Sequence, residues 1–198
     1  MKLIERGEVL GLAEYEAIRE QFRARVVADK KRTRVELGPK ASVVFENRDT
    51  VLMQIQEMLR TERITRPAAV QHEIDTYNEL LPGDREISCT LMIEIADKDE
   101  REAFLHAAKG LEKHVWLVSG SQRIAACGGD RGGDADRTTA VHYLKFSLPE
   151  RLADALRGAV SGSATLTHLE LAVDHPAYSV SAVLPAETIL RLGEDLDA

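Results

Sequence analysis

The side chains best suited to chemistry lie on one predicted helix, in the strand before it, and in one turn near the end of the chain. Four of them are candidate ligand-binding residues: Glu46, Arg48, Gln54 and Glu57. Glu57 and His175 are the candidate metal ligands, because carboxylate and histidine ligands together suit iron, manganese or zinc. Arg48 is the candidate clamp for an anion. These residues make a binding site only if they converge in one pocket.

The predicted helix runs from Asn47 to about Arg60 and is the strongest helical pattern in the chain. Asn47 is a good N-cap residue, because its side-chain oxygen can accept from a free N–H of the first turn. Helical spacing puts one set of apolar residues on a common face: Val51, Leu52, Ile55, Met58 and Leu59. The opposite face carries Gln54 and Glu57. Either this polar face is solvated, or a second element covers it and the two side chains face a cleft.

His175 is predicted to lie between two strands, next to Asp174 and before Pro176. A rigid turn can aim an imidazole, and a neighbouring carboxylate can fix its tautomer or raise its pKa. The alternative is a simple turn with the imidazole in solvent.

Known catalytic motifs are missing from the sequence. The six histidines form no HxxxH or HxH pair, and no HExxH, GxSxG or GxGxxG occurs. Residues 128–137 are rich in glycine, but they lack the Gly-Lys-Ser/Thr of a phosphate-binding loop and the alternating aspartates of a calcium loop. A flexible connector is the simplest interpretation of this stretch.

Helices come first in the chain, and strands dominate the remainder. Apolar spacing predicts a helix over residues 11–31, with a buried stripe at Leu12, Tyr15, Ile18, Phe22 and Val26. Thr65 is the predicted N-cap of a further helix. The predicted strands are residues 34–37, 41–45, 86–96, 113–118, 122–126, 138–148, 165–173 and 178–184. This order predicts an α+β fold, a mostly antiparallel sheet with N-terminal amphipathic helices packed on it, in one domain over residues 1–198.

Composition describes an ordinary globular protein. The 198 residues are 44% hydrophobic and 30% charged, with a net charge of −7 that argues against nucleic acid as the main partner. Only two cysteines are present, which suits a reducing cytoplasm, and Cys89 falls on the apolar side of its strand, as a buried inert thiol would. No signal-like or membrane-spanning apolar run is present, so we expect a cytoplasmic protein without membrane contact. Residues 19–40 are basic and either bind an acidic group or form a solvated face.

Several segments resemble a bacterial family, the domain of unknown function 3501. The first is Phe45-Glu46-Asn47-Arg48 with Gln54-Ile55-Gln56-Glu57-Met58. Three further segments are similar to the same family: residues 77–83 leading into 90–95, residues 140–146 and residues 174–178. His142 departs from the glutamine expected there, and the 128–137 loop has more glycine than expected. The resemblance implies no established activity, but it implies genes beside those of rubrerythrin-like and iron–sulfur oxidoreductase proteins.

Two functions remain as alternatives. The first is an accessory or interaction protein of a redox or oxidative-stress system. Its candidate partners are rubrerythrin-like or iron–sulfur oxidoreductase proteins, and a second copy of the chain in a homodimer is a further candidate. The second is a metal- or anion-binding protein, which could be an enzyme, with a carboxylate and histidine site. The sequence identifies neither a cofactor nor a substrate.

Overall fold

The structure is a computed structural model that describes residues 1–128, 136–164, 166 and 168–197. Most of the predicted 128–137 connector therefore lies outside the described residues. The helices are α1 (Leu12–Thr33), α2 (Arg48–Thr61), α3 (Pro67–Asn78), α4 (Lys98–Ala107), α5 (Glu150–Ser161) and α6 (Ala186–Leu196). The strands are β1 (Arg34–Glu36), β2 (Ala41–Glu46), β3 (Glu86–Ile93), β4 (Val115–Ser119), β5 (Gln122–Ala125), β6 (Cys127–Gly128), β7 (Val141–Ser147), β8 (Glu170–His175) and β9 (Tyr178–Val183).

Within the described residues, the strands form two sheets, and every strand pair is antiparallel. The larger sheet has the order β1-β2-β3-β7-β6, and the smaller one has the order β5-β4-β8-β9. The α+β class, the antiparallel pairing and the N-terminal helices packed beside a sheet are confirmed. Two sheets are present where the sequence predicted one, because hairpin β4–β5 pairs with β8 and leaves the larger sheet.

Two apolar clusters hold these layers together. The larger cluster joins both sheets to α4, α5 and α6 through side chains such as Phe45, Leu117 and Leu156. The smaller one joins α2 and α3 to the start of the chain, around Ile55 and Ile74. All six residues of β2 are buried, because the larger core lies on one side of this strand and the N-terminal helices lie on the other. None of the helices in the described part of the chain is long and apolar enough to cross a membrane.

Several local predictions are confirmed at residue level. Asn47 caps α2, since its side chain accepts from the backbone N–H of Thr50 at 3.0 Å. Cys89 is buried, and burial raises the pKa of its thiol. The sequence left open whether the polar side of α2 is solvated or covered. It is covered by α1, because Thr50 is fully buried and Glu57 contacts α1.

One local prediction for α1 and one for α3 were wrong. Ile18 is exposed, because Arg19 takes the position one turn after Tyr15 and directs its guanidinium at α2. The buried stripe of α1 therefore passes through Arg19, and Ile18 falls on its flank. Thr65 does not cap α3; Arg66 occupies the cap position without a side-chain bond, and Pro67 starts the helix, where its missing N–H costs nothing.

Candidate functional site

Glu57 lies at the contact between α1 and α2 and is fully occupied by donors. Its Oε1 accepts from the Tyr15 hydroxyl at 2.7 Å and from Arg19 Nε at 2.8 Å. Its Oε2 accepts from Arg19 Nη2 at 2.9 Å and from Arg23 Nη1 at 3.1 Å. The hydrogen bonds from Arg19, with that from Tyr15, lower the pKa of Glu57 to about 2. Glu57 is thus an ionised carboxylate that joins two helices.

Glu46 is 4% exposed at the end of β2. Its Oε2 accepts from the Thr50 hydroxyl on α2 and its Oε1 accepts from the Thr90 hydroxyl on β3, each at 2.5 Å. Gln54 donates to the same carboxylate at the long distance of 3.5 Å. The structure therefore brings Glu46 and Gln54 together, in a buried polar contact that links β2, β3 and α2.

Arg48 holds the N-terminal segment, which we define as residues 1–10. Its Nη2 pairs with the Glu8 carboxylate at 2.5 Å, and its Nε donates to the Lys2 carbonyl at 3.1 Å. The ion pair with Arg48 lowers the pKa of Glu8. The guanidinium that the sequence offered as an anion clamp is already bound to an anion of this chain.

Two amides complete the attachment of the N-terminal segment. Gln56 on α2 accepts from the Leu10 N–H at 2.6 Å and donates to the Leu10 carbonyl at 3.3 Å. Asn78 at the end of α3 makes the same double contact with Ile4, at 2.9 Å in both directions. Each amide satisfies both backbone groups of one residue, as a neighbouring strand would.

His175 is 7% exposed and ends β8, so the predictions of a turn position and of an imidazole in solvent were wrong. Its Nε2 lies 3.1 Å from the Lys109 carbonyl, to which it can only donate. Its Nδ1 accepts from the Ala177 N–H at 3.1 Å. The two contacts fix the tautomer with the proton on Nε2, and neither involves Asp174. Both ring nitrogens are engaged within the chain.

Glu57 and His175 share no hydrogen-bonding partner, since their partners lie on α1 and around the Lys109 carbonyl. Within the described residues, no group of three or more His, Cys, Asp or Glu side chains is placed to hold a metal ion. The polar residues on and around α2 form a network that supports the fold.

A second polar cluster lies on the smaller sheet, and sequence reasoning missed it. Asp174 Oδ1 accepts from Trp116 Nε1 at 2.9 Å and lies 3.1 Å from His114 Nδ1, and Oδ2 accepts from Arg123 Nη2 at 2.6 Å. The bond from Trp116, followed by that from Arg123, lowers the pKa of Asp174 to about 2. We call His114, Trp116, Arg123 and Asp174 the Trp116 patch.

The Trp116 patch is accessible. Arg123 stacks over the Trp116 ring, with the guanidinium carbon 4.4 Å from the ring centroid. The patch lies on what we call the outer face of the smaller sheet. That face carries Trp116, Val118, Arg123, Ala125, Glu170, Ala172, Asp174, Ser179, Ser181 and Val183. Each of these ten side chains is exposed or half-exposed.

One sequence signal could have located the patch. Trp116 is the single tryptophan of the chain, and in the alternation of β4 it lies opposite the buried Val115 and Leu117. Tryptophan combines a large apolar ring with a polar N–H and is enriched at interfaces, so its place on the polar side of a strand makes this surface a candidate for binding. Its partners could not be found this way, because Asp174 is 58 residues further along the chain.

Comparison with known proteins identifies the family and the fold of the chain, but the matching proteins have no known function. The family model described as "Protein of unknown function (DUF3501)" matches residues 3–196. The chain is similar to a protein of unknown function from Burkholderia pseudomallei K96243, whose crystal structure it matches with a TM-score of 0.88 at 31% identity. The match covers 99% of this chain and 100% of the other. No curated protein is similar to the chain.

Proposed function

Because the chain belongs to the DUF3501 family of proteins of unknown function, we propose its role from its own surface: it is an interaction protein that binds a protein partner through the Trp116 patch. The observation that carries this proposal is the Trp116–Arg123 stack on the outer face. Tryptophan and arginine are the residue types most enriched where binding energy concentrates in protein interfaces. On this surface they are adjacent and already in contact.

Preorganisation supports the choice of this patch. Arg123 is held from one side by the Trp116 ring and from the other by the Asp174 carboxylate, at 2.6 Å. A side chain that is already ordered loses less conformational entropy on binding than a free one. The bond to Asp174 uses Nη2, so the other N–H groups of Arg123 can donate to a partner. We therefore expect the partner to place a carboxylate opposite Arg123.

The partner class comes from the family resemblance. It implies rubrerythrin-like and iron–sulfur oxidoreductase proteins, and we propose these redox proteins as partners, with this chain as their accessory protein. We also propose a cytoplasmic location, which the two free thiols Cys89 and Cys127 support, because disulfides are rare in that compartment.

The test is direct binding of the purified chain to each purified redox protein, measured by calorimetry. Arg123→Ala should weaken binding by about thirtyfold or more, because a hot-spot residue contributes at least about 2 kcal/mol. Arg25→Ala is a matched control, because Arg25 also lies over an aromatic ring, Phe22 at 5.3 Å, and also pairs with a carboxylate, Asp49 at 3.1 Å. Equal losses for both variants, or no binding by the unmodified chain, would overturn the proposal.

The alternative of a metal- or anion-binding protein has less support. The carboxylates and arginines around α2 neutralise one another, as Glu57 with Arg19 and Glu8 with Arg48 illustrate. Elemental analysis of the native protein tests the alternative. Near-stoichiometric iron, manganese or zinc that Glu57→Ala and His175→Ala both remove would establish it.

A further inference from the structure

The strand β9 has the properties of an interface rather than of a protected sheet edge. Edge strands of native proteins are usually short or carry charged residues that prevent pairing with another chain. Three edges of the two sheets obey this rule: β1 has three residues with Arg34 and Glu36, β5 has four with Arg123, and β6 has two. The fourth edge, β9, has six residues, Tyr178–Val183, and no charge or proline.

We propose that β9 pairs antiparallel with β9 of a second copy of this chain, so that two four-stranded sheets become one continuous sheet of eight strands. A strand that meets its own copy in antiparallel orientation forms a twofold interface, in which each contact occurs twice. A charge near the middle of such a strand would lie close to its own copy, whereas the uncharged β9 brings no repulsion into the contact.

The backbone groups needed for this pairing can be identified. Leu184 N donates to the Leu169 carbonyl at 2.8 Å, so the residue just after β9 bonds toward β8. In antiparallel pairing the direction alternates along the strand, and the β8–β9 register continues from this bond without a bulge. Even-numbered residues of β9 therefore bond to β8. The N–H and C=O groups of Ser179, Ser181 and Val183 point away from it, toward the edge that no other described strand occupies.

The side chains fit the same arrangement. Ser179 and Ser181 are small and exposed on the outer face, and Val183 is 56% exposed. Pairing centred near Ser181 would place Val183 next to Ser179 of the other copy and reduce its exposure. The outer face would continue across the twofold axis, with one Trp116 patch on each half. The pairing of the two β9 strands does not depend on what the Trp116 patch binds.

The mass of the full chain in solution tests the pairing. Light scattering after size exclusion should give a dimer at high protein concentration, and the double variant Ser179→Lys, Ser181→Lys should give a monomer with unchanged circular dichroism. Gln122→Lys, Ala125→Lys on β5 is the matched control, since both residues are exposed on an edge of the same sheet. It should remain a dimer. A monomeric unmodified chain, or a dimer that both double variants leave intact, would overturn the proposal.

Hydrogen exchange resolved by residue gives a second readout that a misfolded variant cannot imitate. In the unmodified chain, the amides of Ser179, Ser181 and Val183 should become more protected as protein concentration rises. The amides of Val180 and Ala182 bond to β8 and should be protected at every concentration. A dimer in which the three odd-numbered amides exchange equally fast at all concentrations would place the interface elsewhere.

Discussion

Glu57 on α2 accepts both arms of the Arg19 guanidinium on α1, with Nε 2.8 Å from Oε1 and Nη2 2.9 Å from Oε2. This fork geometry gives stronger hydrogen bonds than a single contact. The Glu57 side chain is 21% exposed, so water screens the pair only in part.

Glu57→Gln should lower the free energy of unfolding by about 1.5–3 kcal/mol, the range for hydrogen bonds to charged groups. The amide keeps one acceptor but turns an NH₂ group toward an arginine donor. Urea denaturation with an unchanged slope measures the effect. Asp49→Asn is the control. The Asp49 side chain is 41% exposed and that of its partner Arg25 is 62% exposed, so their ion pair should contribute at most about 1 kcal/mol. Equal losses in the two variants would contradict a special role for the Glu57 contact.

The same pair predicts how stability depends on pH. The folded-state pKa of Glu57 is about 2, below the ordinary value of 4.5. A carboxylate with a lowered pKa stabilises the fold above its unfolded-state pKa, and that contribution is lost as pH falls through the folded-state value. We expect the stability difference between the unmodified chain and Glu57→Gln to be constant near neutral pH and to shrink between about pH 4.5 and pH 2. A difference that stays constant over this window would contradict the assignment.

Local patterns predicted the parts of the fold that depend on local physics. Asn47 caps α2 through a hydrogen bond within that helix, and the burial of Cys89 follows from its position in the alternating pattern of β3. These predictions are confirmed, because capping and side-chain direction repeat with a fixed period along one element. The exposed Ile18 shows the limit, since the contact of Arg19 with a second helix decided which face of α1 is buried.

The candidate site depended on strand pairing, which a single sequence does not contain. The sequence offers Asp174 as a neighbour of His175, but in the structure its carboxylate meets Trp116 on β4 and Arg123 on β5. Those contacts exist because Trp116 pairs with Ala172 on β8. His175 points to the other side of β8 and meets the Lys109 carbonyl. Adjacent residues of a strand face opposite sides, so sequence neighbours made poor candidates for a shared site.

The attachment of the N-terminal segment can be tested one amide at a time. Asn78→Ala removes both hydrogen bonds to Ile4, and Gln56→Ala removes both bonds to Leu10. Each change should cost about 1–3 kcal/mol, because half-buried backbone groups lose their partners. Exchange of the Ile4 amide should accelerate in the first variant and that of the Leu10 amide in the second. Gln71→Ala is the control, since this exposed glutamine donates its side-chain hydrogen bond to Asp75, one turn away on the same helix.

If both amides exchange equally fast in the two variants, the segment detaches as a single unit. That outcome would contradict independent attachment at Ile4 and Leu10.

Gly38 is required by the contact between the two sheets. Its φ is +71°, and a Cβ there would lie 2.7 Å from the Tyr178 hydroxyl and 2.9 Å from Val180 Cγ1. The tyrosine cannot move away easily, because its hydroxyl donates to the Leu37 carbonyl and its ring packs edge-on against Phe104, with centroids 5.4 Å apart. Gly38→Ala should therefore cost about 2–5 kcal/mol, the sum of left-handed backbone strain and overpacking.

Gly120→Ala separates the two contributions. Gly120 also has a positive φ, +58°, but nothing lies within 4 Å of the position its Cβ would take. It should cost only the backbone term, about 1–2 kcal/mol. In a double-mutant cycle, Tyr178→Phe should partly rescue Gly38→Ala, because it removes the closest clashing atom. Equal costs at both glycines, or strict additivity in the cycle, would show that the Gly38 turn yields to the added methyl group and that backbone strain alone sets the requirement.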